Sequence, residues 1–451
     1  METTEIAIIG GSAAGLSAAA AVAKRWPDKR TTVIRKVDKT VVPCGIPYIY
    51  GTLGAVDKNL IPDAFLSKIG VNLIHDEIGS IDRAEKVLVR SDGRQLQYDK
   101  LILSTGSRPF VPPIDGVELE NVFSIHKDPA YLQALYDALE LARNVVVVGG
   151  GFIGVEMAEQ IASMSAENGK KEIRLVEMLP HCLMMACEEE FCLVAEQELT
   201  RRGVQVMTNC QVKELRGSDR VEEVVLADGS VLPADVVIIG IGAAPNIDLA
   251  ASAGLEVDAR RGVLVDEYLR SSDNDIYAVG DCASKFSFLT GKPSGIRLAS
   301  VAASEGVIAA GNLYGVPMRK TPGAVGAFAT KVGKRSIAAA GLTSHAAAQE
   351  GIDVVVGAAV APNMHPGSLP GAIADMKVKL LFRRDNGQLV GGHVCGGDSS
   401  AELANALAVA IQARQTVYDL SVMQFATHPL LTASPVQYQL MVAAENALIG
   451  A

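Results

Sequence analysis

The sequence lacks several features that would assign it to other classes of protein. No apolar run approaches the length that a membrane-spanning helix needs. The seven cysteines are an odd number without the spacing of a disulfide framework, which indicates free thiols in a reducing cytoplasm. The first strand begins so near Met1 that we expect no targeting segment. Acidic residues outnumber basic ones, 51 to 41, which argues against nucleic acid or an anionic membrane surface as the main partner.

What the sequence does contain is typical of a globular α/β protein. Its 451 residues are 49% hydrophobic and include 43 glycines, as expected where many strands turn tightly into helices. A chain of this length corresponds to about three domains.

The first motif is a short apolar strand followed at once by a small-residue loop and an alanine-rich helix. Residues 5–9 form the strand, and residues 10–15 read Gly-Gly-Ser-Ala-Ala-Gly. Small residues there let backbone amides approach a pyrophosphate at a helix N-terminus. The next strand, residues 31–34, is followed by Arg35, where an acidic residue normally holds the ribose. The usual ribose contact is therefore in doubt.

The same device recurs from residue 144 onward with all three glycines present. A valine-rich strand over residues 144–148 leads into residues 149–154 and then into a helix. The following strand ends in Glu177, where a carboxylate can accept the ribose hydroxyls of NADH and would repel a 2′-phosphate. The sequence thus predicts a second nucleotide site that prefers NADH to NADPH.

Two further segments support a pair of nucleotide sites. Residues 100–109 read as a strand ending in a tight turn, just before the second motif. Residues 275–281 read as a strand that delivers Asp281 to a helix start. Binding the ribityl chain of a flavin is one role for this carboxylate; capping a helix is the other.

Cys44 stands apart from the other cysteines, with none following it before Cys182. It lies in Pro43-Cys44-Gly45-Ile46-Pro47-Tyr48, which we expect to open a helix. At a helix N-terminus a thiol should be partly thiolate at neutral pH. The alternative is a cysteine that packs as a small buried hydrophobe.

Taken together, these motifs resemble the pyridine nucleotide-disulfide oxidoreductase family, and most closely its single-cysteine branch. That branch contains coenzyme A-disulfide reductases, NADH oxidases, NADH peroxidases and persulfide or polysulfide reductases. The resemblance implies two Rossmann-like domains and a C-terminal α+β dimerisation domain. The FAD domain would span residues 1–118 and 242–320, the NADH domain 119–241 and the dimerisation domain 321–451.

By the same resemblance FAD is non-covalent and its flavin lies between Cys44 and the nicotinamide. Phe152 matches the aromatic residue that covers the flavin and moves aside for NADH. The residues implied in cofactor binding are Gly10, Ser12, Ala13, Ala14, Gly15, Arg35, Pro43, Thr105, Gly106, Arg108, Gly149, Gly151, Phe152, Ile153, Gly154, Glu177, Gly242, Gly280, Asp281, Leu298 and Ala299.

Several residues differ from those typical of this branch, and the differences bear on which compound accepts the electrons. Ala13 stands where oxidases and peroxidases carry a histidine, which lowers both of those readings. Ser368 and Ala433 stand near the places of two aromatic residues of coenzyme A-disulfide reductases, so coenzyme A disulfide is not secure as a substrate.

The C-terminal region offers a candidate acid in His428, which is followed by Pro429. This is similar to the His-Pro segment by which two-cysteine relatives send a base into the partner subunit's site. A solvated loop histidine is the alternative, and His365 is a weaker candidate. Tyr48 either lines the substrate pocket or packs the Cys44 turn.

The remaining cysteines are expected to be packing or surface thiols, since Cys182, Cys187 and Cys192 have no zinc-knuckle spacing. Alanine-rich helices predicted over residues 401–414 and 436–448 suit either a dimer interface or an internal core.

We therefore expect a cytoplasmic, homodimeric FAD enzyme that uses NADH to reduce a small disulfide, persulfide or polysulfide through Cys44. One alternative is an NADH oxidase or peroxidase that cycles Cys44 through a sulfenic acid. Another is an electron-transfer flavoprotein for a redox protein partner.

Overall fold

The computed structural model describes residues 2–450, which form two compact units. The first unit comprises Met1–Phe110, Ile125–Asp137 and Gly242–Ala324. The second comprises Val111–Ser124, Ala138–Ile241 and Val325–Ala451. A search of the described helices finds none with the length and apolar character to cross a membrane.

The first unit is built on a parallel sheet of five strands. Their order is Ile276–Ala278, Lys100–Leu103, Ile6–Ile9, Thr31–Arg35 and Asn72–His75. Every residue of Ile6–Ile9 is buried, as expected for a central parallel strand that is covered on both faces. Because the strands are parallel, the loops that follow them all lie along the same edge of the sheet.

Two small-residue helices, Ala13–Arg25 and Ala299–Asn312, pack against each other beside this sheet. Their approach is so close that a Cβ at Gly306 would lie 2.5 Å from the Ala14 carbonyl oxygen. The smaller elements of this unit are the helices Ala64–Lys68 and Asp248–Ser252 and the strands Glu2–Thr3, Thr40–Val41, Leu60–Ile61, Ile78–Asp82, Val87–Arg90, Gln95–Gln97, Ser107–Pro109, Ala243–Pro245, Val257–Asp258, Gly262–Val263, Lys285–Phe286 and Pro293–Ser294.

The second unit contains another five-stranded parallel sheet. Its order is Val122–Ser124, Val236–Ile239, Asn144–Val148, Glu172–Val176 and Val204–Met207. The helices Phe152–Asn168 and Glu189–Arg201 follow the second glycine loop and the Glu177 segment. An antiparallel sheet of Val212–Arg216, Glu223–Leu226 and Val231–Pro233 completes this part, and the helix Pro129–Leu141 spans a boundary between the units.

The C-terminal part of the second unit is an antiparallel sheet covered by helices. Its strand order is Ala327–Val332, Arg335–Gly341, Leu389–Gly396, Met376–Arg383 and Val354–Ala361. A turn at residues 384–386 joins the adjacent strands Met376–Arg383 and Leu389–Gly396. The helices are Ser344–Gln349, Ser400–Gln412, Val417–Ser421 and Gln439–Ile449.

The fold class expected from the sequence is confirmed: two parallel dinucleotide-type sheets and a C-terminal α+β region. The last helix begins at Gln439 and not at residue 436, because Pro435–Gln437 forms a separate 3₁₀ turn.

Candidate functional site

The first glycine loop forms a tight turn between its strand and helix. Gly10 has φ +115°, and a Cβ there would lie 2.1 Å from the Ser104 carbonyl oxygen. A Cβ at Gly15 would lie 2.0 Å from the Gly10 carbonyl oxygen. The helix N-cap is Ser12, and among the described residues of its first turn none is acidic. This backbone cradle fits the pyrophosphate of FAD.

Asp281 lies at the same edge of the sheet, beyond the strand Ile276–Ala278. The helix start expected there is wrong: Gly280–Cys282 is a single 3₁₀ turn, which Gly280 allows with φ +75°. Ser107 Oγ donates to Asp281 Oδ2 over 2.7 Å, and Lys127 Nζ lies 3.5 Å from the same oxygen. Both partners contact Oδ2, which leaves Oδ1 to accept a hydroxyl of a ribityl chain.

A buried ion pair stabilises the turn that carries Asp281. Lys285 Nζ lies 3.2 Å from Glu305 Oε2, which also accepts the Gly280 amide over 2.7 Å. Burial raises the pKa of the Glu305 carboxyl, while the Lys285 charge and the Gly280 amide act against that rise. Removing one partner from such a pair costs about 3–5 kcal/mol, because the other charge stays buried. The pair thus fixes the position of the Asp281 turn.

Other residues expected to bind FAD lie in the same unit as Asp281. Thr105 and Asn246 exchange hydrogen bonds of 3.0 and 2.8 Å between side chain and backbone. Gly106 and Gly242 have positive φ, and Leu298 is the N-cap of Ala299–Asn312. Arg108 is exposed and pairs with Asp248 over 2.7 Å.

Arg35 ends its strand with the guanidinium turned into the protein. The side chain is only 3% exposed and pairs with Asp63 over 2.7 Å. It also donates to the Val37 and Asp38 carbonyl oxygens and to Thr40 Oγ1. A direct contact from Arg35 to a cofactor stays a prediction.

The prediction that the Cys44 segment opens a helix is wrong. Two short 3₁₀ turns, Pro43–Gly45 and Pro47–Tyr50, take the place of an α-helix. Pro47 has no N–H to give to the carbonyl four residues earlier, so an α-helix cannot run through both turns. The Cys44 thiol therefore does not lie at the N-terminus of an α-helix. Cys44 is nevertheless exposed, whereas Pro43 and Tyr48 are half-buried.

In the second unit the strand, loop and helix recur as expected. Gly149 has φ +105°, and a Cβ at Gly154 would lie 1.8 Å from its carbonyl oxygen. Glu177 Oε2 accepts the Gly150 amide over 2.5 Å, and Oε1 accepts the Leu179 amide over 2.7 Å. The carboxylate is thus held beside the loop, where the ribose of a nicotinamide dinucleotide is expected.

The helix that follows this loop carries the expected aromatic residue. Gly151 is its N-cap, Ile153 is exposed, and the Phe152 ring stacks on Phe328 with centroids 5.3 Å apart. One turn later Glu156 accepts a hydrogen bond of 2.8 Å from Thr330 Oγ1. Burial raises the pKa of Glu156 to about 7. We did not expect this half-buried carboxyl from the sequence.

The two C-terminal segments with candidate histidines contact each other. The His365 amide donates to the Pro429 carbonyl over 3.0 Å, and its Nδ1 lies 2.9 Å from the Thr432 carbonyl oxygen. His428 is exposed, and its Nδ1 accepts the Leu430 amide over 3.2 Å. An accepting Nδ1 places the ring proton on Nε2, which can then donate to a ligand.

The other cysteines differ from Cys44 in their exposure. Cys182, Cys187, Cys192, Cys282 and Cys395 are buried, and Cys210 is half-buried. Of the first three, Cys192 lies in the helix Glu189–Arg201. The preceding residues form turns before Glu189–Arg201. Burial raises the pKa of Cys395 to about 11 and that of Cys192 to about 12.

These environments predict which thiols react in the native protein. Cys44 should be alkylated fastest at pH 8 and Cys210 more slowly. The five buried thiols should react at least about 100-fold more slowly, because burial raises the pKa of each thiol and shields its sulfur from the reagent. Peptide mass spectrometry after timed iodoacetamide treatment measures each rate, with urea-unfolded protein as the control. Rapid labelling of a buried thiol with Cys44 unlabelled would contradict this assignment.

Comparison with known proteins gives consistent results over the whole chain. The family model described as "Pyridine nucleotide-disulphide oxidoreductase" matches residues 4–306, and the model of its dimerisation domain matches residues 328–438. An NADH oxidase of Methanocaldococcus jannaschii is 30% identical, with 98% of each chain covered. An NAD(P)H coenzyme A polysulfide/persulfide reductase of Pyrococcus horikoshii is also 30% identical, over 90% of each chain. Among solved structures, an NAD-dependent persulfide reductase from A. fulgidus superposes with a TM-score of 0.90 at 29% identity, covering 98% of this chain and 83% of that one.

Proposed function

This chain belongs to the pyridine nucleotide-disulphide oxidoreductase family, and we propose that it reduces a small disulfide, persulfide or polysulfide through Cys44. Its cofactors are FAD and a reduced nicotinamide dinucleotide, as in that family. The sulfur acceptor is supported by relatives whose names specify polysulfide or persulfide reduction.

The observation that carries the proposal is the exposure of Cys44 on its 3₁₀ turn, in the unit that contains the first glycine loop and Asp281. Cys182, Cys187, Cys192, Cys282 and Cys395 are shielded from solvent. A thiol that must meet an external sulfur compound has to be accessible, and Cys44 meets this requirement.

The chemistry that FAD supplies when bound is the transfer of two electrons from NADH to sulfur. For a disulfide, the balance is NADH plus a proton plus RSSR giving NAD⁺ and two RSH. The Cys44 thiolate attacks one sulfur of RSSR and releases the other as a thiolate, forming a mixed disulfide. Two electrons then cleave this bond, which releases the second thiol and restores Cys44.

Residues of the chain have distinct proposed roles in this cycle. The amides of the first glycine loop hold the pyrophosphate, and Asp281 accepts a ribityl hydroxyl. Glu177 accepts the ribose hydroxyls of NADH and sets the preference against NADPH. Phe152 covers the flavin until NADH enters.

Ala13 supports a sulfur acceptor over oxygen or peroxide. It lies at the first position of the helix Ala13–Arg25, where a methyl group offers no proton donor to a sulfenic acid at Cys44. Ser368 is exposed and Ala433 is buried, so neither supplies an aromatic contact for coenzyme A.

The proposed assembly is a cytoplasmic homodimer formed by the C-terminal region. This region matches the family's dimerisation domain and exposes several apolar side chains. They are Val409, Tyr418, Val422, Leu430, Leu431 and Val436. The three-domain division, with boundaries at residues 118, 241 and 320, is also part of this proposal.

His428 of a second copy is proposed to protonate the thiolate that leaves when Cys44 attacks the substrate. Replacement of His428 by Asn should lower turnover with a disulfide about 10–100-fold, because the departing sulfur loses its proton donor. Reduction of the bound flavin by NADH should stay within about twofold of wild type, because no thiol leaves in that half-reaction.

Steady-state assays and rapid mixing with NADH measure the two effects of His428→Asn separately. His345→Asn is the matched control, since His345 is an exposed histidine of the same unit. Equal turnover of wild type and His428→Asn with every sulfur acceptor would contradict the role.

The proposed function is tested by NADH oxidation with several acceptors under controlled oxygen. We expect turnover with polysulfide, a persulfide or a small disulfide to exceed that with air or peroxide. Turnover with oxygen or peroxide alone would overturn the proposal in favour of an NADH oxidase or peroxidase, the activity named for the M. jannaschii relative. Turnover only with a redox protein would favour an electron-transfer flavoprotein.

A further inference from the structure

Arg35 joins the first glycine loop to the segment that carries Cys44. It stands where an acidic residue was expected to hold a ribose, and its guanidinium donates to the Val37 and Asp38 carbonyl oxygens, to Thr40 Oγ1 and to Asp63. The aliphatic part of the side chain lies against the loop, since a Cβ at Gly11 would be 2.9 Å from Arg35 Cδ.

Thr40 connects the guanidinium to that loop. Arg35 Nη1 donates to Thr40 Oγ1 over 2.9 Å, and Thr40 Oγ1 donates to the Gly11 carbonyl oxygen over 2.8 Å. Arg35 and Thr40 are both buried, so water does not compete strongly for these hydrogen bonds. The two groups therefore fix Gly11 relative to the start of the Cys44 segment.

From Thr40 the connection continues along the backbone towards Cys44. Thr40–Val41 pairs with Leu60–Ile61 in a short antiparallel ladder. The Val42 amide then donates to the Asn59 carbonyl oxygen over 2.9 Å. Backbone hydrogen bonds thus hold the segment as far as Val42, the residue before Pro43.

Asn59 holds the Cys44 turn at its other end. Its buried side-chain amide donates to the Val42 carbonyl oxygen over 3.0 Å, and this oxygen also accepts the Gly45 amide over 3.0 Å. Asn59 Oδ1 packs directly under Gly45, where an added Cβ would be 2.1 Å away. The turn that presents the thiol is therefore fixed on both sides.

The carboxylate of Asp63 forms an ion pair with Arg35. That carboxylate is partly exposed, and His75 Nε2 lies 3.9 Å from it. The neighbouring Lys36 points elsewhere and pairs with Glu77 over 3.4 Å on the surface.

We propose that Arg35 is a positioning residue for Cys44. Through its hydrogen bond to Thr40, it fixes the Cys44 turn, Pro43–Gly45, relative to the FAD-binding glycine loop. This inference rests on the proposed function, in which Cys44 is the redox thiol. It assigns to Arg35 a role different from a contact to the adenosine ribose.

The test compares Thr40→Val, Arg35→Gln and the double variant with wild type, each purified with FAD. The rate of alkylation of Cys44 by iodoacetamide is followed from pH 5 to 10 by mass spectrometry of the Cys44 peptide. FAD affinity is measured by fluorescence titration. Lys36→Gln is the matched control, because it removes a neighbouring exposed cation.

Each single variant should change the Cys44 alkylation rate at pH 7 about fivefold or more and shift its pH profile. The double variant should differ from the stronger single variant by less than about twofold, because both changes interrupt one pathway. Lys36→Gln should stay within about twofold of wild type.

A Cys44 profile equal to wild type in Thr40→Val would overturn the proposal, even if Arg35→Gln fails to fold. Effects that multiply in the double variant would also overturn it. Weaker FAD binding with an unchanged Cys44 profile would assign Arg35 to the ribose. Alkylation needs no turnover, so these results are separate from a failure of the proposed function, which would appear as full sulfur-acceptor activity without Cys44.

Discussion

Replacement of Cys44 by Ser should lower turnover with sulfur acceptors by about 1000-fold or more, while flavin reduction by NADH stays within about twofold of wild type. A serine hydroxyl is ionised far less readily than a thiol and forms no disulfide, so attack on the substrate sulfur is lost. NADH is expected to act before sulfur chemistry begins, so its reaction should not need the thiol.

In Cys44→Ser, stopped-flow absorbance measures the reduction of the flavin by NADH, and steady-state NADH oxidation measures turnover with sulfur acceptors. Cys210→Ser is the control, since Cys210 is half-buried and lies in the other unit. Full sulfur-acceptor activity of Cys44→Ser would contradict the proposed function and favour an electron carrier that works from the flavin.

The second large effect concerns the choice of nicotinamide dinucleotide. Exchange of Glu177 for Ala together with Met178 for Arg should raise the ratio of kcat/KM for NADPH to that for NADH by about 100-fold or more. The carboxylate held by the Gly150 and Leu179 amides is lost, and with it the repulsion of a 2′-phosphate. Met178 is 65% exposed, so an arginine there has space to pair with the phosphate.

Initial rates with both dinucleotides measure the effect of the Glu177 and Met178 exchange. Glu172→Ala is the control, because Glu172 begins the strand that ends at Val176 and its side chain is exposed. An unchanged ratio in the double variant would show that Glu177 does not select the dinucleotide.

The local sequence was sufficient to predict elements whose conformation depends only on neighbouring residues. Both glycine loops lie between a strand and a helix, because continuous apolar runs and small residues specify that turn without distant partners. The Cys44 helix was wrong for a local reason that was visible in the sequence: Pro43 and Pro47 are four residues apart and interrupt α-helical hydrogen bonding.

The supporting residues of the site could not be found from local sequence. Lys127 and Ser107 reach Asp281 from more than 150 residues away, and Glu305 of the helix Ala299–Asn312 pairs with Lys285 of a short strand. Such contacts depend on the packed fold and leave no periodic signal. Arg35 was noticed as a departure, but the direction of its side chain depends on partners as distant as Asp63.

The measurement that tests the central claim most directly is anaerobic rapid mixing of NADH-reduced enzyme with its acceptor. If Cys44 passes electrons to sulfur, the oxidised flavin spectrum should return with polysulfide or a small disulfide at least about 10-fold faster than with air-saturated buffer, and only when Cys44 is present. Faster return with oxygen than with every sulfur acceptor, or equal return with sulfur in Cys44→Ser, would contradict the account.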